Sequence, residues 1–252
     1  MKSTGTLMML IAAALVLGLV VIPAQEAEAD IIEHVGSAAP QTASPVSWDC
    51  GAAGNVGGAA AHCPGSAPFT NTEAFANAGP PANWNIKNNV RYEKRNLFAA
   101  NPKLESEGWI LDWTMAVVDH GSDTIHMFVF DGHDFNQIHY LSGNVQWNIE
   151  GLSIRNVGSF TTGTHHNYRL EMIANGPGLG DDLFEFSQDT VLLDTRTRAQ
   201  LQDQTTDDII DWGHQYADQR ANSRWSQVRL IPEPTTLSLL GLCALGLLRR
   251  RR

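Results

Sequence analysis

The chain has 252 residues, with 17 Lys and Arg against 27 Asp and Glu and a formal net charge of −10 at pH 7. Setting aside Lys2, the four terminal arginines, Glu26 and Glu28 leaves a central region near −13, a balance that excludes nucleic acid as a partner because phosphates demand a basic face. The roughly 200 residues of that region suffice for one domain with a core of its own.

At the N-terminus, Lys2 is a minimal basic region and Leu7 to Ile22 is an apolar run interrupted only by Gly18. Pro23 and an A-x-A-like site, Ala27-Glu28-Ala29, follow before Asp30. This three-part plan predicts a secretory signal peptide over residues 1–29, cleaved after Ala29; the alternative is an uncleaved N-terminal anchor.

Residues 30–83 are rich in Ala, Gly, Pro, Ser and Asn and predict an irregular, loop-rich segment. Cys50 and Cys63 lie in it, and in an exported chain they read as a disulfide. It would close the loop Gly51 to His62 and contribute about 3 kcal/mol. With His62 these cysteines fall short of a four-ligand metal set. Cys243, in the apolar tail, reads as a small apolar residue.

From Trp84 to Leu230 the pattern predicts strands. Trp109, Leu111, Trp113, Met115 and Val117 alternate with other residues at period two, so one face is buried. Ile125 and Met127 to Phe130 are apolar on both faces, as in a central strand. Asp131-Gly132 turns the chain, Gln137 to Leu141 is a short strand, and Ser142-Gly143-Asn144 turns it again. Val145, Trp147 and Ile149 alternate, as do Tyr168, Leu170 and Met172; Leu183 to Phe186, Val191 to Leu193 and Ser226 to Leu230 complete the set. No stretch carries a helical stripe. The expected fold is an all-β sandwich of two sheets over residues 84–230.

The stretch Thr164-His165-His166-Asn167-Tyr168-Arg169-Leu170, then Val191 to Asp194, Trp212-Gly213-His214 and Ser223 to Leu230, is similar to the concanavalin A-like (laminin G-like) jelly roll. The resemblance implies that the last strand returns beside the first.

Several residue sets carry candidate chemistry. A glycosidase needs two carboxylates about 5 to 9.5 Å apart. Glu105 and Glu107, followed by Asp112, have a strand spacing that could supply them, while Glu185 stands alone between Phe184 and Phe186. The laminarinase-type E-x-D-x-x-E strand is absent, and solvated surface carboxylates account for these residues. A structural calcium, the one candidate cofactor, would draw on Asp181-Asp182, Asp207-Asp208 with Asp211, or Asp119 with Asp123. Ordinary aspartate turns account for the same residues. His126, His133, His139, His165 and His166 show no zinc spacing and read as surface or core histidines. Trp113 and Trp147 fit the core stripe. Trp84, Trp212 and Trp225 are candidate platforms for stacking a sugar ring, with core packing as the plainer reading. Trp225 is out of phase with Val228 and Leu230, so either it faces outward or a bulge breaks the register.

The last stretch, residues 231–252, reads Pro232-Glu233-Pro234, then an uncharged block Thr235 to Leu248, then Arg249, Arg250, Arg251 and Arg252. The two prolines predict an extended, accessible segment around Glu233. Fourteen uncharged residues are short for a membrane span, but arginines at the end fix orientation by the positive-inside rule and snorkel to make up length. The arginines then lie in the cytoplasm and residues 30–231 lie outside, in agreement with the export signal at the other end.

These three features in order resemble the PEP-CTERM sorting signal of Gram-negative bacteria, also called the ice-binding protein C-terminal domain, a name that does not imply ice binding. The resemblance implies recognition and processing by a membrane-embedded exosortase, after transit through the secretion machinery and the inner membrane. It also implies a link to extracellular polysaccharide and biofilm. The expectation is thus a non-enzymatic cell-surface or matrix protein with a binding or structural role. The alternative is a carbohydrate-active enzyme, a hydrolase or lyase, on the same fold. A close carboxylate pair in a groove would favour the enzyme.

Overall fold

The computed structural model describes residues 32–42, 48–50, 73–87, 90–120, 125–148, 155–175, 181–201, 207–214 and 221–233. The predicted signal peptide with Ala27 and Ala29, Cys63 with the loop it would close, and the tail from Pro234 through the arginines lie outside the described residues.

The period-two segments pair into two antiparallel sheets, the sandwich expected from their alternation. The larger sheet holds β1 (Ile32–Val35), β3 (Glu73–Asn77), β4 (Asn83–Lys87), β6 (Trp109–Asp119), β11 (His165–Ile173), β12 (Leu183–Gln188), β13 (Val191–Thr197) and β15 (Asn222–Pro232). The smaller holds β2 (Asp49–Cys50), β5 (Arg91–Arg95), β7 (Ile125–Asp131), β8 (Phe135–Leu141), β9 (Asn144–Asn148), β10 (Arg155–Ser159) and β14 (Asp208–His214). Strand order is β13-β12-β11-β6-β15-β4-β3 in the larger sheet and β10-β9-β8-β7-β14-β5-β2 in the smaller. β15 runs beside β6 along its length; its other edge pairs first with β4 and then with β1. The final strand does return beside the first. Two short helices, Leu97–Ala100 and Lys103–Glu107, precede β6.

The inward residues of both sheets form one core. Tryptophans tie the sheets together. Trp113 Nε1 donates to Tyr140 Oη across the sandwich at 2.8 Å, and Trp84 Nε1 donates to Tyr92 Oη at 2.9 Å. Trp147 packs edge-on against Phe186, and Trp212 lies 4.9 Å from Trp225 between ring centroids. Every tryptophan except Trp84 is at most 1% exposed, and truncating any of them to alanine would cost about 3–5 kcal/mol. A buried ion cluster closes one end of the sandwich: Arg198 reaches Asp182, Asp131 and Asp134, joining the β13 end to the β7–β8 turn.

Three departures from the sequence reading, and one choice between its alternatives, bear on the site. First, the segment 30–83 contributes strands. In β1, Ile32 and His34 point inward and are buried against β15, while Glu33 points outward; four residues are too few for the alternation to be visible. Second, Asp208 and Asp211, which read as turn residues, lie on a strand, β14, between β7 and β5. Gly213 on it has φ of 131°, and a Cβ there would lie 2.5 Å from the Val90 carbonyl, so only glycine permits this approach. Third, of the two alternatives offered for Trp225 the bulge holds: a register shift on β15 between Trp225 and Gln227 turns it inward. Fourth, Glu105 and Glu107 lie on a helix, where an i, i+2 pair does not share a face. Among the described residues no helix is long and apolar enough to cross a membrane.

Candidate functional site

Alternation that sends Trp113 and Tyr168 into the core sends their strand neighbours to the opposite face of the larger sheet. There β6 presents Asp112 and Thr114, β11 presents Asn167, Arg169 and Glu171, β12 presents Glu185 and Ser187, and β15 presents Gln227. Thr190 and Leu192, at the β12–β13 hairpin, complete the lining. Together they line an open groove of about 570 Å³, within the range of ligand sites.

Cross-strand register sets two rows of charged side chains, both of which enter the groove. In one, Arg169, Asp112 and Arg229 are direct neighbours on β11, β6 and β15. Arg169 donates to both oxygens of Asp112 at 2.7 and 2.9 Å, and Arg229 donates to it at 3.3 Å. The hydrogen bond to Asp112 holds the Arg169 guanidinium above even its ordinary range. In the other row, Glu171 on β11 faces Glu185 on β12. Burial pushes the Glu171 carboxyl up; Arg169 opposes this, and the charges of Glu185 and Asp112 add to it. Thr114 Oγ1 donates to Asn167 Oδ1 at 2.7 Å, which fixes the far end.

The candidate residues distribute as follows. Asp112 and Glu185 meet in the groove. Trp212 and Trp225 do not: both are fully buried, so neither offers a ring to a ligand. Trp84 is half-buried, with its Nε1 committed to Tyr92. Of the calcium candidates, Asp182 accepts from the Asn175 N–H and from Arg198, Asp208 accepts from the Phe98 and Ala99 N–H groups, and Asp211 pairs with Arg91 and His126. Asp123 lies outside the described residues. Among the described residues no three His, Cys, Asp or Glu side chains gather as a metal-ligand set. His133 pairs with Glu105 and His166 with Asp189, while His126 and His139 are cross-strand neighbours on the smaller sheet. Cys50 lies on β2, paired with β5.

Sequence reasoning missed Glu171, Arg169 and Arg229 as site residues. Their alternation with Leu170, Tyr168 and Val228 marked them as outward-facing. Only the pairing of β11 with β6 and β12, and of β15 with β6, brings them beside Asp112 and Glu185.

The comparisons with known proteins bear on the fold and on the C-terminal motif. No curated protein matches the chain by sequence. Among solved structures, the carbohydrate esterase of Shiga toxin-encoding bacteriophage phi24B is similar with a TM-score of 0.54 at 10% identity, over 82% of this chain and 100% of that one. The binding domain of Paraclostridial Mosquitocidal Protein 1 is similar with a TM-score of 0.50 at 9% identity, over 85% of this chain and 51% of that one. An endo-β-1,4-glucuronan lyase from the fungus Trichoderma reesei is similar with a TM-score of 0.44 at 8% identity, over 69% and 93%. At these identities the likeness to the first two shows the fold alone. The PEP-CTERM protein-sorting motif matches residues 230–252. The chain is thus a jelly-roll β-sandwich that carries a PEP-CTERM protein-sorting motif, which implies export, a membrane-anchored intermediate and processing by an exosortase.

Proposed function

We propose that this exported protein works at the cell surface or in the extracellular matrix, where the groove on its larger sheet binds a polysaccharide strand without cleaving it. The observation that carries the reading is the bidentate Arg169–Asp112 pair in the groove, braced by Arg229, which donates to Asp112 from the neighbouring strand. Its donors and acceptors are held in place by one another before any ligand arrives, and preorganised polar groups suit a hydroxyl-rich chain. Asp112 accepts from two guanidiniums, so it acts as scaffold rather than base.

The facing pair Glu171 and Glu185 favours a second reading, a glycoside hydrolase. Directly opposed strand residues have Cβ atoms about 4.5–5.5 Å apart. Retaining hydrolases hold their two carboxyls about 5–5.5 Å apart. Glu171, kept protonated longer by burial, would serve as acid and Glu185 as nucleophile.

One experiment separates the two. The mature protein is incubated with extracellular polysaccharides, and both retention and new reducing ends are measured. A binder retains polysaccharide, releases no reducing ends and loses retention in Arg169→Ala. Reducing ends that vanish in Glu185→Gln would establish the hydrolase instead, and neither retention nor cleavage would sink both readings.

A further inference from the structure

The sorting motif begins inside the fold. Pro232 is the last residue of β15 and pairs with Trp109, the first residue of β6. Beyond it the Glu233 N–H donates to the Gly108 carbonyl at 3.1 Å. Gly108 has φ of 100°, a conformation that side chains resist. A Cβ at Gly108 would collide with the Glu233 carboxylate and lie 2.5 Å from the Met172 carbonyl. The missing side chain therefore leaves the room in which Glu233 sits. Glu233 is half-buried, and burial together with the neighbouring Glu171 charge pushes its carboxyl up. The extended, accessible motif expected from its two prolines is instead held, for Pro232 and Glu233, against an interior strand of the larger sheet.

We propose that the sandwich withholds the sorting motif, and that Gly108 is the positioning residue that sets how readily Pro232 and Glu233 are surrendered for processing. An enzyme that reads this backbone must take the place of β6 and Gly108 beside it. Its apparent affinity falls by the fraction of time the segment is released. Loosening the contact raises that fraction, and tightening it lowers the fraction. The inference rests on the motif's processing and is independent of what the groove binds.

The test is a pulse–chase of the full chain in cells that carry the processing enzyme. Gly108→Ala displaces Glu233 and removes its hydrogen bond, so processing is expected to run about three- to ten-fold faster than in the wild type. Gly163→Ala places the same kind of strain at φ of 82°, where nothing lies within 4 Å, and is expected to match the wild type. Glu171→Gln removes the like charge beside Glu233 and is expected to slow processing about two-fold. Amide exchange at Glu233 in the unprocessed chain supplies a readout that general destabilisation would not mimic. The amide is expected to be protected in the wild type and unprotected in Gly108→Ala, with the amides of mid-β6 protected in both. Processing of folded Gly108→Ala at the wild-type rate, or exchange of the wild-type Glu233 amide at the rate of an unstructured peptide, overturns the proposal. Should Gly108→Ala misfold, Glu171→Gln and the wild-type exchange rate decide it alone.

Discussion

The outer faces of the two sheets carry similar chemistry in different settings. On the larger sheet, Asp112 bridges Arg169 and Arg229, whose side chains keep 45% and 32% of their exposure. On the smaller, Asp211 bridges Arg91 and His126 at 3.1 and 3.2 Å, with side-chain exposures of 7%, 6% and 0%. Beside it Phe128, Phe130, Phe135 and Ile209 form a second apolar cluster. An aspartate between basic side chains is thus a partly exposed network on one face and a buried one on the other. Residue type does not distinguish them; burial does. In water an exposed pair contributes little, whereas removing one partner of a buried pair strands a charge in a poor solvent.

The contrast is broken most severely at Asp211. Asp211→Ala leaves Arg91 and His126 without that carboxylate and is expected to destabilise the domain by about 3–5 kcal/mol, read from a urea or thermal unfolding curve. A loss under about 1 kcal/mol would place this network with the surface pairs.

Acid sharpens the contrast next. Burial lowers His139 to about 3, with His126 adding to the effect, and lowers His34 to about 4 against the pull of the Trp225 carbonyl. Both are folded in the neutral form, so the unfolded chain takes up their protons first. Their stability contribution is complete above the ordinary histidine range, near 6.5, and is lost as pH falls from there toward 4 and below. Each histidine is expected to cost about 1.4 kcal/mol per pH unit within that window. Glu171 and Glu233 act in the opposite sense: their folded carboxyls titrate high, so the stability they withhold at neutral pH returns on acidification. A melting temperature unchanged between pH 7 and pH 5 would contradict the histidine assignment, and His139→Gln is expected to flatten the slope.

The smallest effect on stability is expected at Asp112. Asp112→Asn should cost about 1 kcal/mol or less, yet weaken polysaccharide retention about ten-fold by releasing the two arginines it positions. Retention equal to the wild type would remove this row from the site.

Much of the sandwich was legible from Trp109 onward because its strands are long and alternate cleanly. β14 was not, since Asp208 and Asp211 resemble turn residues until Phe98, Ala99, Arg91 and His126 supply their partners. Of the groove, Asp112 and Glu185 stood out as carboxylates, but their roles depend on Arg169, Arg229 and Glu171, which arrive from other strands. Trp212 and Trp225 looked like surface candidates because Asp208 and Asp211 read as turn residues where a strand runs, and because a one-residue bulge reverses which face a side chain takes.

By itself the sequence determined the all-β class, through period-two alternation, and the sorting motif, through a contiguous order of proline, apolar block and arginine. Both are local patterns, and local patterns survive without knowledge of neighbours. Tertiary structure alone decided which outward rows stay open, which aspartates are buried, and that Pro232 and Glu233 are held beside Trp109 and Gly108. Those outcomes follow from strand register between residues far apart in the chain, and a one-residue change of register exchanges the two faces of a strand.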